Sequence, residues 1–241
     1  MNIIFVTPRY EDDGFDTFLG PSLQMMPAKC INIADKPDTD EVKKISFKYN
    51  IGVELAKKQN LIDKDSIIVF CKSNVHIMDT LFKDKLSIIF KEMPNVGVVG
   101  VVGTKQLHKG ASLYSIENQP VNGIIYARDV KNDKGEHIQY SKNGFYNEIV
   151  AIDDSIIAIR ACLFIEDGIK FESNTDEGYG IEIAIKSILN GYDTVVADIL
   201  VVSHQEHNHN YKTINKIVDG LGVSFPITPA SLGKHIIPSW I

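Results

Sequence analysis

Short runs of consecutive apolar residues alternate along this chain with stretches in which apolar positions recur every three or four residues. Residues 2–6, 30–34, 66–71 and 96–102 are runs of the first kind, rich in Val, Ile and Phe, and they predict strands. Their nearly continuous hydrophobicity suits a parallel sheet covered on both faces. Between them, residues 49–60 and 79–93 carry a helical repeat. In the second, Phe82, Leu86, Ile89, Phe90 and Met93 make one stripe, with Asp79 as candidate N-cap and Pro94 as the stop. The chain up to residue 102 therefore reads β-α-β-α-β-α-β, which predicts a doubly wound α/β sheet with right-handed crossovers. Ligands of such sheets bind beyond the carboxyl ends of the strands, where strand order reverses. The residues just after Val6, Ala34 and Cys71 are the first places to seek chemistry.

Beyond Thr104 the pattern loosens. Residues 105–145 are rich in Gly, Asn, Lys and Tyr and show little periodicity. Residues 148–152 and 155–160 then predict two strands, with Asp153 and Asp154 between them. Ile181, Ile185, Ile188 and Leu189 form a helical stripe that Gly191 ends. Residues 194–202 predict one last strand, which delivers His204, His207 and His209 at its end. After Tyr211 a single short amphipathic segment precedes Pro226, Pro229 and Pro238, and residues 211–241 are expected to pack on the body as a tail.

Composition narrows the class. Apolar residues make up 44% of the 241 positions, enough for a core without metal or disulfide. The longest apolar run is far short of the ~18–20 residues of a membrane span, and the start of the chain lacks the positive region of a signal peptide. Cys30, Cys71 and Cys162 stand far apart with no C-x-x-C pair, which predicts free, mostly buried thiols in a reducing, cytoplasmic compartment. A net charge of −6 weighs against non-specific binding to phosphate backbones. Locally the sign reverses: Lys105, Lys109, Arg128, Lys131, Lys134 and Lys142 outnumber Glu117, Asp129, Asp133 and Glu136. No G-x-G-x-x-G follows the first strand and no G-x-x-x-x-G-K-[ST] occurs, which removes the usual dinucleotide and P-loop readings.

Six pieces of the chain, in order, resemble the family-2-type bacterial glycosyltransferases of GT-A fold, in their glycosyltransferase-like branch. They are IIFVTPRY (3–10), YNIGVELAKKQ (49–59), IIVFCKSNVHIMD (67–79), NVGVVGVVGTKQL with VNGIIYARD (95–107 and 121–129), NEIVAIDDSIIAIR (147–160) and YGIEIAIKSILNGYDTVVADILVVSH (179–204). The resemblance implies a GT-A-like sandwich with a mixed, mostly parallel central sheet. It implies transfer of a sugar from a nucleoside diphosphate sugar, UDP-sugar first, to an acceptor hydroxyl on a glycan or another molecule. Residues 1–104 would be the nucleotide-sugar-binding half, and residues 105–210 the acceptor-binding and catalytic half of the same domain. Two other readings stay open: a phage-type enzyme acting on a modified base in DNA, suggested by the basic middle loops, and a non-catalytic relative that binds nucleotide sugar or glycan.

The resemblance also points to residues. Thr7, Pro8, Arg9 and Tyr10 follow the first strand where base and ribose are held; Tyr10 is placed to stack and Arg9 to pair with phosphate. Asp35 is either a ribose or base acceptor or a plain turn residue, and Asn50 either bonds the nucleotide or caps a helix. Where the fold's relatives carry D-x-D, or H-x-D-V in the closer branch, to hold Mn2+ or Mg2+ on the diphosphate, this chain reads Lys72-Ser73-Asn74-Val75-His76. Asn74 and His204 are the tentative metal ligands, with Ser73 and Asn74 beside the diphosphate. Alternatively Lys72 replaces the metal's charge. The family's Y-D-x-D is here Tyr179-Gly180-Ile181-Glu182, so the first carboxylate is missing. Glu182 is the expected base, unless it is only a first-turn acid favoured by the helix dipole. Asp153, in the piece matching V-D-G, is the reserve, with Asp176 behind it. The histidines after the last strand lack the H-E-x-x-H spacing or cysteine partners of a zinc site and read as a polar active-site loop.

Overall fold

A computed structural model describes residues 1–9, 14–26, 28–34, 44–114, 118, 120–121, 125–127, 145, 148–203 and 210–233. The chain begins β1 (Ile3–Arg9), α1 (Leu19–Met25), β2 (Lys29–Ala34), α2 (Ile45–Lys58), β3 (Ile67–Cys71) and β4 (Val75–Ile77). It continues with α3 (Phe82–Glu92), β5 (Val96–Gly100), β6 (Gly103–Thr104), β7 (Pro120–Val121), β8 (Ile125–Ala127) and β9 (Ala151–Ile152). The last described elements are β10 (Ile156–Arg160), α4 (Cys162–Ile165), α5 (Tyr179–Leu189), β11 (Asp193–Val196), β12 (Val201–Ser203) and α6 (Tyr211–Gly220).

Six strands form the central sheet in the order β11-β5-β10-β3-β1-β2. All its pairings are parallel except those of β10, which runs antiparallel to both β3 and β5. Alternate side chains of each strand feed two apolar layers, as the two-residue period of a strand requires. Ile3, Phe5, Ile67 and Val69 pack with Phe82, Leu86 and Phe90 of α3 on one face. Ile4, Val6, Ile68 and Phe70 meet Tyr49 and Val53 of α2 on the other. Each such side chain contributes roughly 1.5–3 kcal/mol of burial. The stripe read from the sequence of α3 is the face that is buried. Asp79, expected as its N-cap, instead organises the turn ahead: its carboxylate accepts from Leu81 N at 2.9 Å and pairs with Lys85 at 2.6 Å, and the helix starts at Phe82.

Gly52 explains how closely α2 lies on the sheet. A Cβ there would sit 2.1 Å from Val6 Cγ1. Gly52→Ala is expected to destabilise the protein by about 1–3 kcal/mol through overpacking, read as a lower urea midpoint at unchanged slope.

The single strand expected over residues 194–202 is two. β11 stays in the central sheet beside β5, and the chain then leaves to form β12 in a small sheet of order β4-β12-β8. The break lies at Leu200, whose carbonyl accepts from both Met78 N and Asp79 N just beyond β4. The exposed Asp198, in the gap between the two strands, is the only interruption of the apolar run at this change of sheet. A second small sheet joins β7, β6 and β9. Within the described part of the tail, α6 buries Ile214, Ile217 and Val218 and contacts α5, and Leu107 bridges Ile227.

Candidate active site

The chain leaves β1 for β2 on one side and returns to β3 on the other, so strand order reverses between β1 and β3. Their register runs from Ile3–Ile67 to Val6–Phe70 and stops before Pro8, which has no N–H to give. In sheets of this class the ligand crevice lies at these carboxyl ends, where β1 stops at Arg9 and β3 at Cys71, just before Lys72. Thr7 and Pro8 lie inside β1, and their side chains are buried, so they belong to the sheet and not to a loop beyond it. Arg9 is the half-buried residue that ends the strand. Its guanidinium lies 4.5 Å over the Phe15 ring and 3.6 Å from Asp16.

The antiparallel β10 places its beginning, not its end, at this edge. Ile156 pairs with Cys71, and Lys72 N donates to Ser155 O at 3.3 Å. The two aspartates between β9 and β10 therefore join the carboxyl ends of the parallel strands. Both are buried. Asp153 accepts from Ser155 N at 2.7 Å through Oδ1 and from the Tyr114 hydroxyl through Oδ2. Asp154 accepts from Gly178 N and, at 2.6 Å, from Gly180 N, satisfying the start of α5 with a carboxylate where the helix dipole favours one. Gly180 is required by the same contact: a Cβ there would lie 2.6 Å from Ile152 O and 2.7 Å from Asp153 O. No side chain, and so no carboxylate, fits at that helix position.

Between these groups stands Tyr179, wholly buried, its hydroxyl donating to Asp154 O at 2.8 Å. Burial, followed by the neighbouring Tyr49 and the Asp154 carboxylate, pushes its phenol well above the usual range, so it stays a neutral donor. The Lys72 ammonium lies 5.7 Å from its ring centroid. Among the described residues, Lys72 has no carboxylate within ion-pairing distance, although it is half-buried.

Other expected residues are used elsewhere. Glu182, 2% exposed, accepts from Glu172 N at 2.7 Å and Ser173 N at 3.2 Å and pairs with Lys186 at 2.8 Å. It forms part of the wall of a cavity of about 270 Å3 between the 172–175 strap and α6. Asn50 stands in the second turn of α2, not at its start. Both ends of its amide grip the Phe171 backbone, donating to O at 2.7 Å and accepting from N at 3.0 Å. Asp176 accepts from Ile45 N at 3.0 Å and pairs with Lys44 at 2.6 Å, and Glu177 accepts from Thr213 Oγ1 at 2.9 Å. Ser73 is buried and Asn74 half-buried, in the turn into β4. Tyr10, Asp35 and His204 lie outside the described residues, as do His207, His209, Arg128, Lys131, Lys134 and Lys142. Of the basic loop residues, Lys105 pairs with Glu148 at 3.4 Å.

A divalent cation such as Mn2+ or Mg2+ wants several hard, preferably anionic oxygens. The β3 end supplies an ammonium, a hydroxyl and an amide, and the nearby aspartates already accept from Tyr114, Ser155 and the start of α5. Among the described residues no three His, Cys, Asp or Glu come together. The described residues at the β3 end do not by themselves make a divalent-metal site. Two participants carried no expected role in the sequence, Tyr114 and Asp154. The Asp-Asp doublet before a strand, with Gly-Tyr-Gly opening the later helix, is the signal for Asp154; nothing marks Tyr114.

A mixed, mostly parallel six-stranded sheet of this order resembles that of the GT-A glycosyltransferases. S. aureus TarS 1-349 in complex with UDP superposes with a TM-score of 0.55 at 11% identity, over 96% of this chain and 68% of that one. The same protein with UDP-GlcNAc gives 0.52 at 10% identity, over 90% and 64%. GalNAc-T7 with UDP, GalNAc and Mn2+ gives 0.51 at 11% identity, over 91% and 48%. At these identities the likeness is one of fold, and the chain spans only about 60% of the length of TarS 1-349 in another of its crystal structures. The chain belongs to the glycosyltransferase-like family, whose sequence profile matches residues 38–216. A sequence comparison with curated proteins finds no match. Among the described residues no helix is long and apolar enough to cross a membrane.

Proposed function

We propose that the protein transfers a sugar from a UDP-sugar to an acceptor hydroxyl, with Lys72 meeting the departing diphosphate and Asp153 taking the acceptor's proton. The observation that carries this is the Lys72 ammonium, half-buried at the strand-order reversal and free of any described carboxylate. Most lysines in such a place hold an acid; this one is available to an anion. In the step, the acceptor oxygen bonds to the anomeric carbon as the bond from that carbon to the diphosphate oxygen breaks. The electron pair leaves with the diphosphate, and the acceptor's proton passes to Asp153. Arg9, at the end of β1, holds the nucleotide's other phosphate oxygens. The solved relatives that carry UDP and UDP-GlcNAc support the donor class.

The test is UDP release from UDP-GlcNAc and other UDP-sugars, with and without simple saccharide acceptors, beside thermal shift with UDP. Saturating UDP at 100 times its Kd should add about 2.7 kcal/mol of stability. UDP binding without turnover on any donor would leave a nucleotide-sugar-binding protein. No UDP binding would remove the donor reading.

In this reading Glu182 is a structural carboxylate that ties α5 to the 172–173 backbone. Glu182→Gln is expected to keep kcat within about threefold while lowering stability by about 1–3 kcal/mol, because a charge-assisted buried network is broken. A hundredfold loss of kcat with UDP affinity retained would return it to the chemistry.

A further inference from the structure

We propose that Tyr179 is the positioning residue for Lys72: its ring is a fixed pedestal that holds the ammonium over the crevice for the leaving diphosphate. This rests on the reading of Lys72 given above. A lysine has four flexible carbons, so a bare one at a strand end samples a wide volume. Here the ammonium lies 5.7 Å from the Tyr179 centroid, inside the ~6 Å range in which a ring face attracts a cation. The attraction is directional and leaves the ammonium's three donors open, which a carboxylate partner would not. A salt bridge would neutralise the charge the reaction needs; a ring holds it without cancelling it.

The pedestal is itself fixed from several sides. Tyr179 has no exposed surface, and its hydroxyl donates to Asp154 O. The Asp154 carboxylate grips the backbone N–H on both sides of it, at Gly178 and Gly180. Its ring stands edge-on to Tyr49 at 5.3 Å and to Phe171 at 6.1 Å. Gly180, with no room for a Cβ, lets the helix start close enough to Asp153 and Asp154 for this to happen. The proton acceptor's loop and the cation's support are thus one packed unit. Tyr179 acts only through Lys72 and touches no reacting atom.

The experiment uses the full chain and two readouts. In the first, lysines are reductively methylated with 13C and the dimethyl-Lys72 resonance is identified by its loss in Lys72→Arg. It should be shifted upfield by the Tyr179 ring in the wild type and in Tyr179→Phe, and return to the free-lysine position in Tyr179→Leu. An unshifted wild-type resonance overturns the proposal without recourse to any variant. In the second, UDP affinity is measured by calorimetry. Tyr179→Phe should match the wild type within about twofold and Tyr179→Leu should bind about tenfold more weakly. In a Lys72→Ala background, Tyr179→Leu should cost nothing further. A loss that persists in that background shows general damage to the site and overturns the proposal. If the wild type binds no UDP, the donor reading fails and the catalytic role of the pair fails with it, whereas the resonance reads their contact directly.

Discussion

Lys72→Ala is expected to lower sugar transfer by about 10²–10³-fold, the usual loss when one preorganised donor to a developing anion is removed. The fold should survive, because the ammonium makes no ion pair with a described residue and stands at a half-buried strand end. Thermal midpoints of the two proteins should agree within a few degrees. Lys72→Arg keeps the charge but spreads it over a planar fork, and should recover only part of the rate. The companion measurement is activity after exhaustive EDTA treatment. A cation at this position repels Mn2+ while supplying charge of its own, so wild-type activity should persist. Complete loss in EDTA, restored by Mn2+, would sink the assignment of that charge to Lys72.

Asp153→Asn should be the other severe change, lowering kcat by about 10²–10⁴-fold with UDP affinity little altered. The substitution is nearly isosteric, and an amide oxygen can still accept from Ser155 N or Tyr114. What it cannot do is take a proton at neutral pH. Tyr114 touches the carboxylate oxygen that Ser155 N leaves open, which marks the edge from which an acceptor would arrive. A kcat unchanged in Asp153→Asn would dismiss this aspartate, and the proton would have to leave by a group beyond the described residues.

The strands of the central sheet were legible because each is a dense apolar run between polar turns. Residues 66–71 and 96–102 became β3 and β5 with their ends shifted by a residue or two. The α3 stripe was equally plain. β6 and β7, of two residues each, are too short for any periodicity to announce them, and of the strand expected over residues 148–152 only β9 forms. At the proposed site, Lys72 is legible as a lysine where an acid is expected, and Asp153 by its place between two predicted strands. Glu182 looked like a base because a first-turn acid on a helix after a family-like tyrosine has the right position along the chain. Its partners were not legible: its carboxylate accepts from the backbone N–H of residues 172 and 173 and from the Lys186 ammonium. Asn50 misleads for the same reason, since an amide's use depends on a backbone segment 121 residues away.

β10 has a consequence for how this protein comes into being. Without that strand the sheet divides into two pieces, β2-β1-β3 and β5-β11, each with a raw edge, and nothing else in the main sheet joins them. Both edges are apolar on their two faces, at Ile67–Cys71 and Val96–Gly100, which makes them adhesive to any other chain with a free strand. A ribosome releases both β3 and β5 well before residue 156, so the nascent chain carries both edges until the closing strand emerges. The pairing across it is distant in sequence, and distant pairings form late. When β10 finally slides in, it seals the sheet and in the same movement carries Asp153 and Asp154 to Lys72. A chain whose sheet is still open holds Asp153 and Asp154 away from the Lys72 end of β3.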